Sequence, residues 1–158
     1  MPEDVGSCST VESLPATKTR DVRHYAQRSH WDCGVSCVLM AVDLQTREFI
    51  LSNFKQVVEE EGFGNSTWTI DLCYLLLRQA NLRLKYNTIT LGVDPNFTSQ
   101  AFYNSILKKD SQRVTDRFDA AGDKGIAVKQ TSTDIADIVD HVANHGVVIV
   151  LTDSNLLR

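Results

Sequence analysis

The chain has 158 residues, 42% hydrophobic and 23% charged, with a net charge of -4 and 16 scattered Lys and Arg residues. That is the composition of one ordinary globular domain with a real core; it excludes a disordered chain and gives no basic footprint for nucleic acid. No apolar run approaches the roughly 20 residues of a membrane span, and residues 1–20 lack the apolar core of a signal peptide, so no membrane partner and a cytosolic or nuclear placement are expected.

Residues 1–20, rich in Ser, Thr, Glu and Pro, read as a flexible leader, and residues 21–158 as the domain. From Asp32, a good N-cap, the pattern turns helical, with Val35, Val38, Leu39 and Val42 recurring at spacings of three and four. A second helix fits Ser52 to Glu61, with Phe54, Val57 and Val58 inward and Gly62 as its stop. Thr69 to Ala80 is a third, capped by Thr69, with Asp71 against the helix dipole and Leu72, Leu75 and Leu76 as its stripe. Cys73, among these leucines, reads as a small buried hydrophobe.

Leu82 to Leu91 alternates apolar and polar residues like a strand with one buried face, ended by Gly92 and Pro95. Thr98 to Lys109 reads as a helix, followed by a shorter helical stretch over Val114, Phe118 and Ala121. Gly125 to Gln130 is a short strand. Ser132 to His145 is a helix with Ile135, Ile138, Val139 and Val142 inward and Gly146 as its cap, and Val147 to Leu151 is a fully apolar strand. Such a strand needs cover on both faces and partners on both edges, which about three strands do not supply, so the domain is expected to be cut short at Arg158.

The four cysteines, Cys8, Cys33, Cys37 and Cys73, are expected to be free thiols, because the chain is too large to need staples and carries no export signal. Cys33 falls in the first turn of its helix, where unpaired N–H groups and the positive end of the dipole favour a thiolate. Gly34 would leave room for a substrate to approach the backbone. The Cys33 amide and the side-chain amide of Gln27, six residues earlier, are candidate donors to an oxyanion. Cys37, one turn on, suits core packing. On position alone, Cys33 fits a structural role as well as a nucleophilic one.

No histidine qualifies as the base for such a nucleophile. His141 and His145 lie in the last turn of a helix, where they complement the dipole; His30 would have to fold back to reach the sulfur; His24 has no local argument. No cofactor is expected either: His30, Cys33 and Cys37 lack the second pair of ligands that zinc sites show, and neither Glu61 to Thr67 nor Ala120 to Gly125 forms a phosphate-binding loop. The acidic run Glu59 to Glu61 reads as a solvated face, and no aspartate pair at strand ends offers the metal-held phosphates that nucleotide cyclisation needs.

The segment QRSHWDCGVSCVLM, from Gln27 to Met40, resembles the Gln-x5-Cys-Gly segment of papain-like peptidases related to the bacteriocin-processing, transporter-linked family. That resemblance implies Cys33 as nucleophile and Gln27 as oxyanion donor. His30 to Met40, Ser66 to Leu77 and Thr88 to Tyr103 resemble, in order, segments of the guanylyl-cyclase-domain-containing family of animals and plants, also called plant guanylyl cyclase 1-like. The similarity runs from about Val22 to Leu151. It implies a papain-like cysteine-peptidase fold, here an α+β domain with a helical N-terminal half and an incomplete C-terminal sheet.

The resemblance also implies thiol acyl transfer on a protein or peptide, with a catalytic-type His on the strand after Val147 to Leu151 and a later Asp or Asn. Without those two residues this form is expected to be inactive. The family name implies instead conversion of GTP to cyclic GMP, which would make GTP a partner. A non-catalytic interaction protein is the third expectation.

Overall fold

A computed structural model describes residues 17–93, 101–153 and 155, with the backbone alone over 101–106. Cys8, residues 1–16 of the leader, Pro95 and the expected start of a helix at Thr98 lie outside the described residues.

Helix α1, Cys33–Ala41, forms where expected and buries Val35, Val38 and Leu39. Its C-terminal carbonyls, which a helix cannot satisfy internally, are met by a residue the hydrophobic pattern does not point to. Arg47 donates through Nε to Leu39 O at 2.6 Å and through Nη2 to Val42 O at 3.2 Å. That arginine sits on α2, Leu44–Ser52, a helix absent from the sequence reading. Asp43 starts it, accepting from Thr46 N at 2.9 Å and from Thr46 Oγ1 at 2.8 Å. The helix was hidden because its buried residues are Arg47 and Ile50, while Leu44 and Phe49 point to solvent.

Asn53 separates α2 from α3, Phe54–Glu61, so the helix expected from Ser52 begins two residues later. Gly62 ends it as expected, at φ +68°, with Phe63 N–H returning to Val58 O. Helix α4, Thr69–Ala80, has Trp68 rather than Thr69 at its cap, and Asp71 Oδ2 accepts from Trp68 N at 2.9 Å. Its stripe of Leu72, Leu75 and Leu76 closes with Val35, Val38, Val42, Val57 and Phe63 into the first core cluster. Each fully buried side chain of this kind contributes roughly 1.5–3 kcal/mol.

Strand β1, Leu84–Thr88, pairs in parallel with β2, Ile126–Gln130, in the register Leu84 to Ile126. The crossover is α5, Ala101–Ala120, a single 20-residue helix where the sequence pattern suggests two pieces. The polar stretch at Asp110 to Arg113 is no break: Asp110 is buried and bonds to Trp68 on the α4 side. A second cluster, Ile70, Cys73, Val114, Ala121 and Ile126, fills the space between α4, α5 and the sheet.

Helix α6, Ile135–Asn144, corrects the expected inward stripe. Its Ile135 and Val139, expected inward, are 75% and 50% exposed, and only Ala143 is buried. Contact with this helix comes from inside the expected leader, where Lys18 Nζ donates to Ala143 O and Arg20 Nε to Val142 O at 2.6 Å. Val147 to Leu151 forms no strand and joins no ladder; among the described residues the sheet has two strands. Only Ile149 of that run packs on the first core cluster, while Leu151 is 84% exposed. The described chain is thus α+β, six helices and two strands, with its helices concentrated before β1. No described helix is long and apolar enough to cross a membrane.

Candidate functional site

The site is built on the approach to α1. Asp32 occupies the N-cap position, but its carboxylate does not cap the helix. It faces backwards, accepting from Ser29 N at 2.9 Å and Arg28 N at 3.2 Å. A side chain 2% exposed thereby folds the loop from Gln27 to Trp31 into a fixed turn. Trp31 packs on the first core cluster, and the Arg28 guanidinium lies 4.6 Å from the centre of the Phe54 ring. The loop is held at both ends by packing and in the middle by hydrogen bonds.

Cys33, the first residue of α1, is exposed. Gln27 is also exposed, and its Nε2 donates to Ser29 O at 2.8 Å. Gln27 to Trp31, with Asn65, line an open depression of about 630 Å³, so His30 shares that wall with Gln27. The other two described cysteines differ from Cys33. Cys37 is half-buried, and burial, then the charge of Cys33 one turn away, pushes its thiol upward. Cys73 is buried in the second cluster, which with the nearby Asp71 carboxylate raises it to about 11.

Cys73 makes an alkaline prediction. The folded state holds its proton more tightly than the unfolded chain, so this contribution is complete below pH 9 and is lost as pH rises through about 11. The loss is about 3 kcal/mol. Urea midpoints should fall between these limits, and Cys73→Ala should flatten that fall; the half-buried Tyr86 phenol, also raised, accounts for a remainder.

Two roles inferred from the sequence change. Gly34 faces α4 rather than open space: a Cβ there would stand 2.8 Å from Leu72 Cδ1, so the missing side chain serves close helix packing. Glu61, read as part of a solvated face, is 1% exposed and joins a buried ion network. Its carboxylate accepts from Arg117 at 2.8 Å, and Arg78 Nε lies 3.0 Å from Oε1. Asp71 takes Arg117 Nη1 at 2.6 Å and Arg113 Nη2 at 3.0 Å, while Asp110 takes Arg113 Nη1 at 3.1 Å and Trp68 Nε1 at 2.9 Å. The i, i+4 spacing of Arg113 and Arg117 was the one sequence signal for it.

Each of these buried carboxylates is engaged by arginine, and among the described residues no three His, Cys, Asp or Glu side chains gather as a metal site. The arrangement left open to solvent is a thiol at the start of a helix, preceded in the chain by the loop that lines the depression; Cys33 is not itself part of that lining. This arrangement defines an α+β domain in which, among the described cysteines, Cys33 is the exposed one, Cys37 is half-buried and Cys73 is buried.

Comparison with known proteins gives the family. A model described as guanylylate cyclase matches residues 22–158, and the chain belongs to that family. It is 37% identical over 125 residues to Guanylyl cyclase 1 of Arabidopsis thaliana, covering 79% of this chain and 44% of that protein. The chain therefore spans less than half the length of this curated relative. No solved structure matches it.

Proposed function

We propose that this chain carries the nucleophile half of a thiol acyl-transfer site in a papain-like arrangement, acting on a protein or peptide carbonyl. The observation that carries the reading is the exposure of Cys33 at the first residue of α1, with Cys37 half-buried and Cys73 buried. In the reaction the sulfur bonds to the carbonyl carbon and the carbonyl π pair moves to oxygen. The amine leaves with a proton, and water then releases the acyl group from the thioester.

The Cys33 amide is one donor for the oxyanion. Gln27 is the other: its side-chain amide has two N–H groups, of which Ser29 O takes one. The general base, in the resemblance that motivates this reading, is a histidine on a later strand. The domain in this reading comprises residues 21–158, with 1–20 as a leader.

A second reading, cyclisation of GTP to cyclic GMP, is favoured by the name of the Arabidopsis relative. One paired experiment separates them. A peptidyl chloromethyl ketone should label Cys33 alone and fail on Cys33→Ala, while cyclic GMP formation from GTP with Mg2+ or Mn2+ should be absent from both proteins. Metal-dependent cyclic GMP that survives Cys33→Ala, with no labelling, would replace the first reading with the second. Neither signal would leave an interaction protein.

A further inference from the structure

We propose that His141 and His145 form a two-imidazole site for a divalent transition ion of borderline softness, of the Zn2+, Ni2+ and Cu2+ class. The residues stand at i and i+4, the spacing that puts two imidazoles on one helical face and serves zinc in helical metal sites. With metal–nitrogen bonds of about 2.0–2.1 Å and about 1.1 Å more to each ring centre, a tetrahedral angle places the two centres roughly 5 Å apart. They lie 5.3 Å apart. The backbone beneath them is helical to its end, His145 N donating to His141 O at 2.8 Å.

The electrostatics also suit a cation. The negative end of the α6 dipole lies here, and Thr131 to Leu157 contains four aspartates and no Lys or Arg. Lys18 and Arg20 approach the same end, but they are spent on the carbonyls of Ala143 and Val142. A shared metal ion would set its positive charge at the negative end of that dipole. His145 is exposed and His141 half-buried, so an ion has access; among the described residues no third protein ligand joins, and water completes the coordination.

The test is calorimetric titration of the 158-residue chain with NiCl2. Wild type should bind one ion, His141→Ala and His145→Ala should each weaken binding about 10-fold or more as two tethered ligands become one, and His24→Ala/His30→Ala and Cys33→Ser should leave it within about twofold. Unchanged affinity in His145→Ala, or binding that follows His24, His30 or Cys33, overturns the proposal. His145 is exposed, so its variant decides the matter should His141→Ala fail to fold.

Discussion

Alanine in place of Asp71 is expected to cost the fold about 3–5 kcal/mol, the range for breaking a buried ion pair from one side. Asp71 is fully buried and accepts four hydrogen bonds, from Trp68 N, from Arg113 Nε and Nη2, and from Arg117 Nη1. Its removal leaves two guanidiniums, themselves 17% and 11% exposed, short of charge, and strips α4 of its N-terminal acceptor. Glu61 still holds Arg117 and Asp110 still holds Arg113, so the loss stays within that range. Asp71→Asn, which keeps an acceptor for Trp68 N, should lose less than Asp71→Ala. Urea denaturation of both variants checks this; a loss below about 1 kcal/mol for alanine would make the network peripheral.

Phe63→Ala should cost about 3–5 kcal/mol for a different reason, a cavity in the first core cluster. Phe63 is 0% exposed in the short link between α3 and α4, where it touches a cluster drawn from α1, α3 and α4. Phe49→Ala on α2, 52% exposed, is the matched control and should change stability by less than about 0.5 kcal/mol. The Arg117 guanidinium lies 5.9 Å from the Phe63 ring and also bonds to Asp71. Combining Phe63→Ala with Asp71→Ala should therefore give a loss different from the sum of the two, the sign of a shared partner.

Helices α1, α3 and α4 were legible because their apolar stripes face one cluster, and Gly62 announced a helix end by a conformation that other residues rarely adopt. Helix α2 was not legible, since the side chain that fixes it, Arg47, is a charge whose partners are the carbonyls of another helix. The buried role of Glu61 was hidden for the same reason: a carboxylate in an acidic run looks solvated until the arginines of α5, more than 50 residues away, are placed beside it. Hydrophobic pattern also overstated α6 and Val147 to Leu151, where apolar residues remain exposed in the described structure.

At the site, the accessible Cys33 and the more enclosed, half-buried Cys37 could be read from helix position. The inward turn of Asp32 is a local choice, since the amides of Arg28 and Ser29 compete with the helix cap for the same carboxylate, whereas the contact of Gly34 with Leu72 depends on what lies opposite in space, which no local pattern encodes.

The central claim, that Cys33 is the chemically available thiol, is tested most directly by the pH dependence of iodoacetamide alkylation, read at each cysteine by mass spectrometry of the folded chain. The account predicts that the exposed Cys33 reacts faster than Cys37, whose thiol is raised by burial, and that Cys73 reacts only where the fold begins to yield near its raised pKa of about 11. Reaction of Cys33 no faster than Cys37, or later than Cys73, would contradict it.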